Sequence, residues 1–499
     1  MAYIPQQSDI DILRQGKRVT YSKIELLNKS FKVIDSLEGE LVEDSYSIDA
    51  DSDIRRTYNL TLAIKNSSFL VGSDKKIWFD KYIKVYIGLF SIRLRDVIYY
   101  PVGIYLFDSA GYKYDSSTEE LTLSCVDRMA ELTGDRNGKA SGLSTKILAN
   151  ASIHDSLVST VSQLGKIAKY RIDDVGKTVP YDLEFSTGAS VYDIIKELRD
   201  LYPGWETYFD EEGFICQKYP TCLSDPIVLD AKTIAPLVIS EDTAIKFTSV
   251  HNVIELWGKC LETDYFSDTV SYSSNKYTVT NSAVVGLKDG TMYGFKASAT
   301  NLGNDSLQFN SLTAYPIICE GNAPITAGRI ENGKSYVVEY TVSGSSGYFY
   351  FCGEYQIAAI SKLYSVEPSA DKKASDIASE PTKNISYVIE PDNPFCCDLA
   401  GMGEIRNVLS GSDYESIYSE DLATQRAKYE LWKATDLLDD ITLEMIEVPW
   451  LDVNQKIEYT AKATKQTEIY LVKKKSGSSS KGTMTIECTK FQPLYSWTN

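Results

Sequence analysis

Histidine is almost missing from this chain. Only two of its 499 residues are histidine, at positions 154 and 251. A histidine-based zinc site, a Ser-His-Asp triad or a Cys-His pair would have to use one of them. His154 lies at an expected helix start and His251 just before an expected strand, so we interpret both as structural. We therefore assign no catalytic, cofactor-binding or metal-binding residue.

Cysteines with metal-binding spacing are missing as well. The nine cysteines are irregularly spaced, and none forms a CxxC pair. A zinc ribbon is therefore unsupported. Several cysteines, such as Cys125, lie in apolar strand-like runs. We predict that they are reduced and buried, and we expect no cofactor.

Long apolar runs and an excess of positive charge are also lacking. No segment approaches the roughly 18–20 apolar residues that span a bilayer, and the first residues lack the pattern of a signal peptide. We expect a protein that folds in a cytoplasm without a membrane-spanning segment. With 51 Lys and Arg against 69 Asp and Glu, the net charge is −18. This charge argues against tight nucleic-acid binding, whereas it suits a wall along which DNA slides.

One run matches the spacing of a phosphate-binding loop, with Gly328 followed by Gly333-Lys334-Ser335. A working loop of this kind precedes a helix whose N-terminal amides hold the phosphates. The residues that follow have the pattern of a strand, so we interpret the run as a hairpin turn.

Acidic clusters were weighed as calcium and glycosidase sites. Asp49, Asp51 and Asp53 begin like a calcium loop, but the sixth and twelfth positions lack the required Gly and Glu. Residues 210–212 and 439–440 are also acidic. A glycosidase needs two carboxyls at a set distance; we interpret these clusters as solvated turns and loops.

Strand-like alternation dominates the sequence, and tyrosine is abundant at 35 residues. Alternating segments lie at residues 58–64, 77–88, 120–126, 467–472 and 483–488. Helices are fewer.

Three helices are indicated by their start signals. One begins after Ser190, with Asp193 as its capping-box partner, and stops before Pro203. A second covers about residues 153–165, and a third begins after Ser419 as N-cap.

An imperfect internal repeat organises the chain. Matched segments occur in the same order in both halves. The pairs are Lys23–Leu27 with Val253–Trp257, Leu60–Leu62 with Ile441–Leu443, Trp78–Asp80 and Lys84–Val85 with Trp450–Asp452 and Lys456–Ile457, Gly103–Phe107 with Glu468–Val472, and Leu121–Cys125 with Met484–Cys488.

The repeat predicts a mainly β protein with α+β parts. Two related β-barrel domains cover residues 1–132 and residues 240–261 plus 387–499. A small α/β domain, residues 133–239, lies between them, and a β-rich module, residues 262–386, is inserted in the second barrel. Because two similar barrels can occupy equivalent places in a ring, three chains would offer six near-equivalent positions.

This domain order resembles the central hub proteins of phage tail tips and baseplates. The segments Asp53–Leu62, Trp78–Gly88 and Gln425–Trp432 are similar to early strands and to a late helix of such hubs. The resemblance implies a virion protein, assembled in the host cytoplasm, that forms a homotrimer with tail-tube-like barrels. It would join the sixfold tail tube or distal tail protein to a threefold spike or fibre, line the DNA channel without specific DNA binding, and act without enzymatic activity.

The inserted module resembles a small β element of tail-fibre and tail-tip proteins, through Ala323–Tyr336 and Gly347–Glu354. Its tyrosine-rich strands suggest an alternative function, a receptor-binding protein that stacks tyrosines on host-surface glycans. A structural spacer is the plainer interpretation. A tail-associated cell-wall hydrolase is the third hypothesis.

Overall fold

The computed structural model describes residues 5–16, 18–37, 41–64, 67–114, 119–140, 145–148, 150–180, 183–218, 224–260, 263–319, 322–344, 346–355, 359–365, 395, 403–411, 414, 417, 420–435, 439–479 and 481–492. The protein is mainly β, as predicted. The first elements are α1 (Gln7–Leu13), β1 (Thr20–Leu27), β2 (Val33–Ser36), β3 (Leu41–Asp49), β4 (Arg56–Ala63), β5 (Tyr82–Ser91), β6 (Asp96–Tyr114) and β7 (Glu119–Asp127).

A small α/β region follows, and the chain then returns to the main sheet. Its elements are β8 (Thr145–Ile147), α2 (Ile153–Ser159), β9 (Tyr170–Ile172), β10 (Leu183–Phe185), α3 (Val191–Asp200), β11 (Glu206–Phe209) and β12 (Ile215–Lys218). The return is made by β13 (Ile227–Leu229), α4 (Ala231–Ile234) and β14 (Val238–Ile245).

The next region separates β14 from the last strands of the main sheet. It contains β15 (Val253–Cys260), β16 (Tyr265–Ser267), β17 (Val270–Ser273), β18 (Lys276–Val279), β19 (Thr291–Lys296), β20 (Ser306–Phe309), β21 (Tyr315–Cys319), β22 (Ala323–Pro324), β23 (Ser335–Ser343), β24 (Ser346–Glu354), β25 (Ala359–Ser365), β26 (Arg406–Leu409) and α5 (Glu420–Ala434). The chain closes with β27 (Asp439–Ile446), β28 (Lys456–Thr460), β29 (Thr467–Gly477) and β30 (Thr483–Lys490).

The two predicted helices for which the start lies in the described residues begin where the sequence indicates. In α3, the Asp193 amide donates to the Ser190 hydroxyl at 2.9 Å, and the Ser190 amide donates to the Asp193 carboxylate at 3.0 Å. In α2, Ser152 caps the first turn through the amide of Asp155. Ser419, the predicted cap of α5, lies outside the described residues. Local side-chain capping therefore positions α2 and α3.

Strands from both ends of the chain form one continuous sheet. Its order is β2-β1-β5-β6-β7-β4-β3-β29-β30-β27-β14, with β28 beside β29 and β13 beside β28. Its alternating side chains form one shared apolar core, to which Tyr58 and Leu62 contribute from the first half and Leu443 and Ile486 from the second. Full burial of each such side chain stabilises the fold by about 1.5–3 kcal/mol.

The sheet contains the same strand order twice. The order β3-β4-β7-β6-β5-β1 in the first half corresponds to β14-β27-β30-β29-β28-β13 in the second. A register shift is also repeated. β6 shifts register against β7 at the point where its counterpart β29 shifts register against β30. The predicted duplication of a barrel-like unit is therefore present in the sheet.

The strand pairing corrects the alignment of the two halves. Leu60 of β4 pairs with Leu123 of β7. In the second half, the counterpart of Leu123 is Ile486, which pairs with Leu443 of β27. Leu60 therefore corresponds to Leu443 and not to the predicted Ile441. The shift is two residues, so each side chain keeps its face of the sheet. The sequence pattern alone cannot distinguish such registers.

One predicted match is wrong. Val253–Trp257 was matched to Lys23–Leu27 of β1, but β15 pairs with β25 and β26 in a separate sheet, on which α5 packs. The position of β1 is taken in the second half by β13. The two strands share a position in the sheet but not a direction, since β13 pairs parallel with β28 whereas β1 pairs antiparallel with β5. The predicted domain boundaries stay a proposal.

The β-rich module has its own sheet, in the order β16-β19-β23-β24-β21-β20-β18-β17, with β22 beside β21. Its core contains aromatic side chains such as Tyr293, Phe309 and Phe349. A further apolar cluster joins α2 and α3 to α5, β15 and the central strands β21, β23 and β24 of this module. The module is therefore packed on the α/β region as well as folded on itself.

Candidate functional site

The two barrel-like halves meet where β3 runs antiparallel to the end of β29. Tyr46 to Asp49 pair there with Gly477 to Lys474. Residues more than 400 positions apart in the chain thus share one hydrogen-bonded ladder. We call this contact, together with the polar side chains beneath it, the junction.

A buried ion pair lies under the junction. The Lys475 ammonium is 3.1 Å from the Glu447 carboxylate, and the side chains are 1% and 0% exposed. Lys475 also donates to the carbonyls of Val448 and Pro449, and the Tyr46 hydroxyl donates to Glu447 at 2.7 Å. Burial, and then the Glu447 charge, raise the pKa of Tyr46. Lys475 and Glu447 both belong to the second half, so the bond from Tyr46 to Glu447 is the contact of this group that crosses the junction.

A second buried carboxylate is satisfied from both halves. Asp44 of β3 accepts from the Tyr58 hydroxyl of β4 at 2.8 Å. From the second half it accepts the Ser478 hydroxyl at 2.9 Å, the Ser479 amide at 3.1 Å and the Ser479 hydroxyl at 2.5 Å. Charge-assisted bonds of this kind are stronger than neutral ones, so Asp44 links the loop after β29 to the first half.

Replacing Gly477 with alanine tests the closeness of this contact. An added Cβ would lie 2.7 Å from the Tyr46 hydroxyl oxygen, which is held by Glu447. We expect a loss of about 1–3 kcal/mol in the free energy of unfolding, as for other overpacked sites. Urea unfolding followed by circular dichroism measures it. Ser476→Ala, next to it on β29, is the control, and equal stability of the two variants would contradict the expectation.

Arg56 ties three parts of the protein together. Its guanidinium is 2.5 Å from Asp452 of the second half, donates to the Val102 carbonyl of β6 at 2.8 Å, and reaches the Phe209 carbonyl of β11 at 3.4 Å. Its backbone amide donates to the Asp127 carboxylate at 2.9 Å. Arginine suits such a site because its planar group offers several donors and stays charged.

The carboxylates near Arg56 respond differently to burial. Burial raises the pKa of Asp127 to about 6, although amides of Met129 and Arg56 oppose the shift. Burial by itself raises the pKa of Asp452, but the Arg56 charge lowers that pKa below its ordinary value. Burial, and then the Asp452 charge, raise the pKa of Glu211. The site therefore holds one carboxylate, that of Asp452, firmly ionised as the partner of Arg56.

Arg55 completes the polar cluster on the α/β side. Its guanidinium is 2.5 Å from Glu206 and lies 3.8 Å from the centre of the Tyr208 ring. The Asn454 side-chain amide donates to the same Glu206 carboxylate. A cavity of about 400 Å³ lies among these groups. Its walls come from both halves and the α/β region, and the residues on them pair mainly with one another, as expected of a structural joint.

One motif of the family resemblance and one segment of the internal repeat meet here. Arg55 and Arg56 belong to the segment Asp53–Leu62, and Asp452 to the repeat match Trp450–Asp452. Sequence reasoning did not single out Lys475, Glu447 or Asp44 as partners. Their signal was weak: a lysine or an acid within an otherwise alternating strand.

The phosphate-loop match lies in turns, but they do not form the predicted hairpin, because β22 pairs with β21 whereas β23 pairs with β19 and β24. Gly328 and Gly333 lie in turns, and β23 follows directly instead of a helix. Lys334 is 3.3 Å from Glu331 and 3.7 Å from Glu354. A phosphate group would not meet an array of helix amides there.

The acidic residues after β3 serve loop contacts. Asp49 and Asp51 pair with lysines of β29, and Asp53 accepts from the Tyr192 hydroxyl at 2.6 Å. In the described part of the chain, no group of three or more His, Cys, Asp or Glu side chains is placed to hold a metal ion.

The acidic turn at residues 210–212 is only partly solvated, contrary to the prediction. Asp210 is buried, accepts the amides of Glu212 and Phe214, and pairs with Arg171 at 2.9 Å. Glu212 pairs with Lys84 of β5 at 2.8 Å. These carboxylates shape the turn between β11 and β12 and fasten it to the first half.

The described tyrosines of the inserted module are divided between buried and half-buried positions. Tyr293, Tyr336, Tyr340 and Tyr350 are buried. Buried rings cannot stack on a sugar, so these residues do not provide the glycan platform suggested by the sequence.

Cys125, Cys216, Cys352 and Cys488 are buried free thiols, and Cys319 is half-buried. Burial raises the pKa of Cys125, Cys352 and Cys488. Thiols held protonated in this way are poor nucleophiles. Within the described residues, no helix is long and apolar enough to span a bilayer.

The chain is similar to known proteins in part of its sequence and in its fold. A family model described as a domain of unknown function (DUF5048) matches residues 392–495. A comparison with curated proteins gives no match. The 43 kDa tail protein of prophage MuSo2 from Shewanella oneidensis has a TM-score of 0.50 at 10% identity, covering 94% of this chain and 98% of that chain. The chain has the fold of a prophage tail protein.

Two further tail proteins show the same extensive coverage. The tail protein from Neisseria meningitidis MC58 has a TM-score of 0.48 at 9% identity and covers 94% of this chain and 97% of its own. Prophage tail protein gp18 from Listeria monocytogenes EGD-e has a TM-score of 0.45 at 8% identity, with 94% of each chain covered. We take the fold assignment from the Shewanella protein. The predicted resemblance to phage tail proteins is confirmed at the level of the fold.

Proposed function

We propose that this protein is a structural component of a phage-type tail, located at the tail tip or baseplate of a virion. The observation that carries the proposal is the repeated strand order within one sheet, in a chain that has the fold of a prophage tail protein. The function is architectural and not enzymatic. Two buried polar contacts link the halves, the bond from Tyr46 to Glu447 and the ion pair of Arg56 with Asp452.

The oligomer that fits this arrangement is a homotrimer. Each chain carries two barrel-like units side by side, related by the same strand order. Three chains then present six similar units around one axis, while the true symmetry remains threefold. Such a ring adapts a sixfold tail tube or distal tail protein to a threefold spike or fibre.

The charge of the chain suits the passage of DNA through this ring. The net charge of −18 repels phosphate groups instead of binding them. A channel lined in this way lets DNA move through the tip without specific binding.

Light scattering of the purified chain tests the proposed assembly. We expect a mass three times that of the single chain, and electron-microscope class averages with threefold symmetry and six barrel-like lobes. The mass should be measured over a range of concentrations, because trimers dissociate on dilution. A stable dimer, or class averages without six lobes, would contradict the hub.

Zymography against bacterial cell walls addresses the enzymatic alternative. No clearing is expected from this chain. Lysozyme in the neighbouring lane is the positive control, and a clear band for this protein would favour the hydrolase hypothesis instead.

A further inference from the structure

Among the open edges that the described strands of the main sheet leave, two correspond to the two sides of the junction. β14 pairs only with β27 among the described strands, so its other edge is open. The N-terminal part of β6, residues 96–106, pairs with β5. Residues 109–114 of the same strand pair only with β7 in the described structure. Residues 108–114 are all exposed. Open edges of this length are ready to pair with another chain.

The junction inside the chain shows what these edges fit. There the end of β29, just past its contact with β28, pairs with β3. By the repeated strand order, the end of β6 is the counterpart of the end of β29, and β14 is the counterpart of β3. The two strand edges that pair at the junction therefore have counterparts in the same chain, the end of β6 and β14. Neither counterpart has a partner at that edge among the described strands.

The pairing of each half fixes the correspondence residue by residue. Because β6 and β29 shift register at the same point, Ser109 of β6 is the counterpart of Lys474 of β29. Since β3 pairs with β4 as β14 pairs with β27, Glu241 of β14 is the counterpart of Asp44 of β3. The remaining counterparts follow in sequence along each strand.

We propose that the end of β6 in one copy pairs antiparallel with β14 of a second copy, in the register of the junction. This inference rests on the proposed trimeric hub and specifies its subunit contact. The predicted pairs are Ser109 with Lys246, Ala110 with Ile245, Gly111 with Ala244, Tyr112 with Thr243, Lys113 with Asp242 and Tyr114 with Glu241.

Burial and charge both favour this register. Ile48, at the junction, is 2% exposed, whereas its counterpart Ile245 is 45% exposed and would be covered by the second copy. Lys113, which is largely exposed, lies directly opposite Asp242 in the proposed pairing. Opposite charges facing each other across antiparallel strands stabilise the pair.

Each copy offers one edge of each kind, so the contact is head-to-tail. Head-to-tail contacts close into a ring when the rotation between copies permits it. The junction within the chain and the contact between chains would then alternate around that ring.

Cysteine cross-linking tests the register in the full-length chain. Gly111→Cys is placed in one chain and Ala244→Cys in another, and the two are mixed and oxidised. A Cβ at Gly111 meets no atom within 4 Å, so the substitution is tolerated. We expect a shift from monomer to disulfide-linked dimer on a non-reducing gel, because directly opposite residues have Cβ atoms close enough to bridge. Lys113→Cys mixed with Asp242→Cys is a second in-register pair.

The controls separate this inference from the hub itself. Gly111→Cys mixed with Ile239→Cys is out of register by about 16 Å along the strand, at roughly 3.3 Å per residue, and should not cross-link. The parent chain, oxidised in parallel without added cysteines, shows any cross-linking by the native thiols. If the protein is trimeric but neither in-register pair links, or if Ala244→Cys links to itself, the edge pairing is wrong and the hub stands. A chain that stays monomeric at the highest attainable concentration and forms no cross-link overturns both.

Discussion

Lys475→Met is expected to lower the free energy of unfolding by about 3–5 kcal/mol, the usual cost of removing one partner of a buried ion pair. The Glu447 carboxylate would remain fully buried beside the Tyr46 hydroxyl, without the ammonium 3.1 Å away. Urea unfolding monitored by tryptophan fluorescence measures the loss.

Neighbouring Lys474 provides the matched control. Its side chain is 37% exposed, and its ion pairs with Asp49 and Glu487 span 3.9 and 3.7 Å. Lys474→Met should change stability by less than about 1 kcal/mol, as for exposed pairs. Adding Glu447→Gln to Lys475→Met removes the unpaired charge and should recover part of the loss. Equal effects of the two single lysine variants would contradict a buried ion pair at the junction.

Arg56→Met is expected to cost a similar amount, about 3–5 kcal/mol, because it leaves Asp452 as a charge without its partner. It also removes the donors to two backbone carbonyls that lie in different parts of the fold. Thermal unfolding by calorimetry should show a lower midpoint, and a transition that splits if the halves separate first.

Arg93→Met is the matched control for this arginine. Arg93 is 75% exposed and 3.7 Å from Asp11, so its loss should change stability by less than about 1 kcal/mol. Asp452→Asn combined with Arg56→Met should be more stable than Arg56→Met alone. If the double variant is less stable than the single one, Asp452 has another role that is independent of Arg56.

Much of the fold could be predicted from local sequence. The capping box of Ser190 and Asp193 predicted the start of α3, since capping involves residues three positions apart. Alternation predicted β4, β7, β29 and β30. In the segment 77–88, however, the strand begins only at Tyr82. The preceding residues turn, which alternation does not reveal.

The candidate site was predicted only in part. The repeat indicated two related units, and its motifs included Arg55, Arg56 and Asp452. The partners of Lys475 and Asp44 could not be found, because they depend on which strands meet at the junction. The mistaken match of β15 to β1 has the same origin, since short apolar runs look alike wherever they pair.

The sequence by itself determined the mainly β character, the start of α3 and the presence of a duplicated unit, because each depends on periodicity or on neighbours in the chain. Tertiary structure alone decided that β13 and β14 join the strands of the second half, that β4 matches β27 two residues away from the predicted alignment, and that β3 meets β29. Side chains repeat every two residues along a strand, so a two-residue shift leaves the pattern unchanged. Only hydrogen bonds between distant strands, and the buried charges beneath them, select one arrangement.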